Sequence, residues 1–201
     1  MIFIKGRTMH LHAIDPCRAA LLLIGYQRDY FDADGILHEV IEESSRVVGT
    51  LGNTSTLISE IKDTEMTIVS TPIVFSPTYD ELESPMGILK TIMDVQAFKA
   101  GSPGSETIDM ISELGDRVLE IPGKVGFDAF SNTNLLNVLR SRDIEHVLIA
   151  GAVTSICVNA TAMRAFDEGF DVSVISDCTS GRTKIEQEMF CNEIFPLFAH
   201  V

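Results

Sequence analysis

The chain has 201 residues, 45% of them hydrophobic, with 15 Lys and Arg against 29 Asp and Glu for a formal net charge of −14. That length is enough for one domain with its own buried core, held without a disulfide or a structural metal. An acidic balance with no basic cluster to offset it argues against a nucleic-acid partner, and no apolar run approaches the roughly 20 residues needed to span a bilayer.

The opening stretch, MIFIKGRTMHLHAIDPC, lacks a basic segment followed by a continuous apolar run, so no signal peptide is read and a cytoplasmic location is expected. AALLLIG, residues 19–25, is a short continuous apolar run, the pattern of a strand covered on both faces. A periodic segment over about 38–62 predicts a helix, and MTIVSTPIVF, residues 66–75, a second strand stopped or kinked by Pro72. Residues 76–105 are the least regular part, with a helical pattern in MGILKTIMDVQAF. They read as a long excursion of the kind that sets specificity.

RVLEI (117–121) predicts a third strand, PGKVGFDAF a loop, and NTNLLNVLRSR a helix capped by Ser131 or Asn132. HVLIAG (146–151) is the fourth strand and SICVNATAMRAFDEG a helix stopped by Gly169. DVSVISD (171–177) is the fifth strand, followed by a last helix interrupted near Pro196. Strand and helix alternate throughout, which predicts a three-layer, Rossmann-like α/β fold: a central, mostly parallel sheet with helices on both faces, residues 1–201 as a single domain. In such a sheet a site lies beyond the carboxyl ends of the strands, where connections diverge.

The chemistry that reaches this edge is sparse. Cys17, Cys157, Cys178 and Cys191 are scattered, with no Cys-x-x-Cys, and the five histidines do not cluster, so no metal site is read. Cys157 falls where a helix begins, and unpaired N–H groups there lower a thiol's pKa and can hold an oxyanion. Lys124, in the loop after the third strand, would bring an ammonium to the same edge. Taken singly, the bland readings are a buried thiol and a solvated loop lysine.

AALLLIGYQRDYF resembles the first strand and the Asp-x-Gln-x-Asp-Phe end of the isochorismatase-like cysteine hydrolases, which include nicotinamidases, ureidoacrylate and biuret hydrolases and isochorismatases. The stretch from IPGKVGFDAF to GAVTSICVNATAMRAF is similar to their lysine and cysteine segments in order, type and spacing. The resemblance extends over about residues 17–198. It implies Cys157 as nucleophile, Lys124 as its partner, an oxyanion hole from the N–H groups of Val153 and Cys157, and a cis peptide at Val153–Thr154. It also implies a homodimer or larger homo-oligomer.

One position departs from the pattern: the family's catalytic Asp aligns with Gly25, which has no proton acceptor. Three readings stay open. Asp29 takes over, although it aligns with a second Asp usually counted as structural; Lys124 or the substrate accepts the proton; or the protein is a non-catalytic ligand-binding or regulatory relative. Gly25, Tyr26 and Phe127 are the expected pocket residues. STPIVFSPTYDEL lacks the histidines that accompany a nicotinamidase metal, so neither metal nor cofactor is expected. Loss of the Asp with retention of the Cys argues against isochorismate cleavage. The expected activity is metal-independent hydrolysis of a small amide or ureide.

Overall fold

The computed structural model describes residues 14–201; the stretch before them, with His10 and His12, lies outside the described residues. Strand β1, Ala19–Ile24, is buried at all six positions, as the unbroken apolar run predicts. After it come a one-turn helix, α1 (Arg28–Phe31), then α2 (His38–Val48) and α3 (Thr50–Ile61). The single helix expected over 38–62 is two, because Gly49 takes a left-handed φ of 74° and turns the chain between them.

Strand β2 is Thr67–Thr71, and Pro72, without an N–H to donate, ends it earlier than the apolar pattern suggests. The irregular excursion contains α4 (Gly87–Val95) and is tied back by Phe75 pairing with Lys99, and by Tyr79 donating to the Ala97 carbonyl. The short α5 (Asp109–Ser112) leads to β3 (Val118–Glu120). Helix α6 (Leu135–Ser141) starts at Asn134 rather than at Ser131 or Asn132. The reason is Asp128, whose carboxylate accepts from Phe130 N–H at 2.8 Å and Ser131 Oγ at 2.6 Å and so winds 128–131 into a separate turn.

Strand β4 (His146–Ala152) runs into a five-residue π-helical turn, Thr154–Val158, and then α7 (Asn159–Asp167). Strand β5 spans Asp171–Ser180, three residues further than expected, with a register shift opposite Ile149 and Gly151. The last helical region is α8 (Lys184–Met189), a π turn and a 3-10 turn carrying Pro196.

All pairings are parallel, in the order β3-β2-β1-β4-β5. From β1 the chain steps outward to β2 and β3, then crosses to β4 and steps the other way to β5. With right-handed crossovers the two directions place their helices on opposite faces, which gives the three layers. The order reverses between β1 and β4, so the crevice of this sheet opens beyond Ile24 and Ala152. Among the described residues no helix is long and apolar enough to cross a membrane.

Candidate active site

Three edge loops converge at that crevice, and the first is locked by one side chain. Gln27 is 1% exposed; its Oε1 accepts from Ile73 N–H, and its Nε2 donates to the carbonyls of Ile73 and Ser105. The loop after β1 is thereby fastened to the strand exit of β2 and to the end of the excursion. Ile73 also pairs with Lys124, which carries the register of β2 into the lysine loop.

Lys124 is fully buried. Its ammonium donates to the Gly126 carbonyl at 2.5 Å and points at Cys157 Sγ, 3.6 Å away. Burial pushes the Lys124 pKa down, while Cys157 and, more weakly, Asp128 push it back up. A buried ammonium is costly unless a counter-charge faces it; here the group in front of it is a thiol that can ionise. Cys157, 3% exposed, lies in the π turn after β4, and the Val153 carbonyl accepts from Ile156 and Val158 N–H, which fixes the turn. The pairing of lysine and cysteine expected from the two loops is therefore present, although both groups sit below the surface.

The other expected residues divide. Gly25 is at the crevice with a left-handed φ of 66°; a Cβ added there would lie 2.9 Å from the Ala152 carbonyl oxygen and 3.6 Å from the Tyr30 ring. Tyr26 is not a pocket residue. Its ring stacks on Phe31 at 5.0 Å, and its hydroxyl is engaged with Thr54 Oγ1 and the Cys178 carbonyl. The left-handed turn at Gly25 breaks the strand alternation, and this ring points into the helix layer instead. Phe127 stays exposed on the lysine loop. The non-proline cis bond is at Ala152–Val153, one peptide before the expected Val153–Thr154. The bond follows the last residue of β4, Ala152, which pairs with Ser180, and precedes the helical turn that starts at Thr154.

Asp29 does not reach Cys157. Its Oδ2 accepts from Phe98 N–H at 2.6 Å, and Gly104 packs so closely that a Cβ there would fall 1.9 Å from Asp29 Oδ1. Burial raises its pKa, and the N–H groups of Phe98 and Ile36 lower it part of the way back. This carboxylate braces the excursion. Asp29→Asn, which places an NH2 where an acceptor is needed, is expected to cost about 1–3 kcal/mol in denaturant unfolding. The same variant should leave the labelling rate of Cys157 unchanged; a loss of labelling in a folded variant would return Asp29 to the site.

Two residues were missed by reading the sequence. Tyr30, 2% exposed, has its ring beside Gly25, and its hydroxyl is held protonated by burial and then by proximity to Cys157. Its signal was available, since it stands four residues after Tyr26 in the same loop. Asp128 is the other, four residues after Lys124. Among the described residues, Lys124 Nζ is the one hydrogen-bond partner of Cys157 Sγ, and no three His, Cys, Asp or Glu side chains gather as a metal-binding group. Cys178 and Cys191 are buried thiols whose pKa values burial pushes up to about 12 and about 11, so neither competes as a nucleophile.

Residues 19–201 match the isochorismatase domain. Ureidoacrylate amidohydrolase of Variovorax paradoxus (strain S110) is 27% identical over 189 residues, covering 87% of this chain and 72% of that protein. A cysteine hydrolase from Pseudomonas syringae pv. phaseolicola 1448A superposes with a TM-score of 0.76 at 18% identity, over 94% of this chain and 89% of that one. An isochorismatase family protein from Desulfovibrio vulgaris subsp. vulgaris str. Hildenborough gives 0.77 at 21% identity, over 91% and 92%. At these identities the two structures establish the shared fold.

Proposed function

The chain belongs to the isochorismatase family, and from that premise we propose that it is a cysteine hydrolase cleaving the C–N bond of a small amide or ureide without a metal. The observation that carries this reading is the buried contact of Lys124 Nζ with Cys157 Sγ at 3.6 Å. When the pair shares one proton, placing it on Nζ sets an ammonium against a thiolate 3.6 Å away in a buried site, where opposite charges attract strongly, so Sγ is the group left free to attack. The thiolate attacks the carbonyl carbon, and the oxyanion is received by the N–H groups of Val153 and Cys157. The Lys124 ammonium then protonates the departing nitrogen, leaving a thioester on Cys157. Neutral Lys124 takes a proton from water, hydroxide displaces the thiol, and the acid leaves. The lysine thus does the acid–base work that a carboxylate at position 25 does elsewhere in the family.

Substrate entry requires an edge loop to move, because both reacting groups are buried. The reading also places the protein in the cytoplasm as a homo-oligomer acting on a small molecule.

A panel of small amides, ureides and carbamoyl compounds, assayed for ammonia or amine release with intact-mass detection of acylated Cys157, tests the proposal. Acylation by at least one class is the expected result. With one proton shared by the pair, kcat/KM should be bell-shaped in pH, and its descending limb should fall below the ordinary lysine value of 10.5, because burial lowers Lys124. A descending limb that persists in Lys124→Met would assign it elsewhere.

The rival reading, a non-catalytic ligand-binding relative, rests on Gly25. The acid position is glycine, its backbone is left-handed, and the Ala152 carbonyl crowds the place where a side chain would start. Ligand binding without acylation by any member of the panel would favour it.

A further inference from the structure

The π turn that carries Cys157 is held from outside the strand–turn–helix unit to which it belongs. Thr154 Oγ1 donates to Gln187 Oε1 at 2.6 Å, and the next residue, Ser155, donates from Oγ to Glu186 Oε1 at 2.6 Å. Both acceptors are on α8, which follows β5. Glu186 is itself fixed, since its Oε1 accepts from Arg182 N–H and its Oε2 from Arg182 Nε. Helix α8 is set in turn by its N-cap, with Thr183 Oγ1 accepting from Glu186 N–H at 3.1 Å.

Gln187 is 5% exposed and bonded on both sides of its amide. Oε1 accepts from Gly181 N–H at 2.9 Å as well as from Thr154; Nε2 donates to the Ser176 carbonyl and Thr179 Oγ1, both at 2.9 Å, and approaches Cys191 Sγ at 3.4 Å. A backbone N–H can only donate and a carbonyl can only accept, so Gly181 and Ser176 fix which end of the amide faces Thr154. The side chain offers Thr154 one acceptor in one place. A glutamate here would turn a carboxylate oxygen toward the Ser176 carbonyl, and an apolar residue would leave the Thr154 hydroxyl buried without a partner.

We propose that Gln187 is a positioning residue: through Thr154 it sets the turn from Val153 to Cys157, and with it the aim of the thiol at Lys124 and of the two N–H groups at the oxyanion. The inference rests on the reading of Cys157 as nucleophile. It adds that α8, a separate element beyond β5, determines how reactive that nucleophile is.

The test compares wild type, Thr154→Val, Thr154→Ser, Gln187→Met and the double variant Thr154→Val/Gln187→Met. Labelling of Cys157 by iodoacetamide is followed across a pH series, with thermal unfolding in parallel. Thr154→Val, which loses one buried, oriented hydrogen bond, is expected to slow labelling at neutral pH by about tenfold, and Gln187→Met, which loses that contact together with those to Gly181, Ser176 and Thr179, by at least as much. Thr154→Ser, which keeps the hydroxyl, should restore the wild-type profile. The double variant should be no slower than the worse single one, because both remove the same contact. Labelling profiles that coincide with wild type while unfolding temperatures fall would overturn the proposal and leave Gln187 a brace of the fold. Should Thr154→Val not fold, the comparison of Gln187→Met with wild type decides on the same criterion. A wild-type thiol that labels slowly and independently of Lys124 would remove the nucleophile itself, and the positioning role with it; Lys124-dependent labelling that Thr154 and Gln187 leave untouched would defeat the positioning role alone.

Discussion

Cys157→Ala is expected to abolish thioester formation and to lower amide hydrolysis by at least about 10³-fold, with Lys124→Met costing about 10²-fold or more. The physical difference between the two variants is informative. Alanine removes the atom that forms the bond, whereas methionine occupies the fully buried lysine slot with a chain of similar length and removes the charge and its N–H groups. Without the ammonium the thiolate loses the cation 3.6 Å away, the proton from Sγ has no acceptor, and the leaving nitrogen has no donor. Stability should move the other way or not at all. Taking an ammonium out of a buried site relieves its desolvation, and methionine fills a similar volume. Folded, thermally unimpaired Lys124→Met protein with lost turnover is therefore the expected pattern, measured by steady-state kinetics and thermal unfolding on the same preparation. Retention of more than a tenth of wild-type kcat in that variant would show that the lysine is not the acid–base group.

Gly151→Ala is expected to be the most damaging single-methyl change in the sheet. Gly151 has a φ of 129°, and a Cβ there would lie 1.9 Å from the Ile24 carbonyl oxygen and 2.7 Å from its carbon. The atoms it meets are backbone, in the register pair Ile24–Gly151 that joins β1 to β4, so no side-chain rotation relieves the clash. Separating the two strands at the crevice should cost about 3–5 kcal/mol, from the combination of overpacking and an unfavourable backbone region. For a chain of this size that corresponds to a fall of roughly 6–20 °C in the unfolding midpoint. Gly52→Ala is the matched control. It lies inside α3 with nothing within 4 Å of the added methyl, and is expected to stabilise by about 0.5–1 kcal/mol. Equal midpoints for the two variants would contradict the close approach of β1 and β4.

Much of this architecture was visible in the residues, because local signals there agreed with tertiary demands. The unbroken AALLLI run could only be a strand covered on both faces, and Lys124 and Cys157 stood at the exits of two strands of one parallel sheet. What escaped notice depended on the path of the chain in space. Tyr26 reads as an edge aromatic until the left-handed turn at Gly25 sends its ring to Phe31, while Tyr30, four residues on, takes the place beside the crevice. Asp29 reads as a spare acid until the excursion is seen to close over it through Phe98 and Gly104. Gln187 carries no motif at all. Its importance lies in five contacts gathered from β5, the following loop, α8's own continuation and the cysteine turn, none predictable from spacing. Gly49 was the opposite case, a local signal in plain view that a periodic apolar pattern on either side of it obscured.

The reactivity of Cys157, and its dependence on Lys124, separate a hydrolase from a catalytically silent relative. The most direct measurement is the second-order rate of Cys157 alkylation by iodoacetamide as a function of pH, in wild type and in Lys124→Met. Fast alkylation at neutral pH that slows at least about tenfold when the lysine is removed is the predicted result, because the ammonium 3.6 Å from Sγ favours the thiolate. Slow labelling at the same rate in both proteins would contradict it and leave a fold that keeps the cysteine without its chemistry.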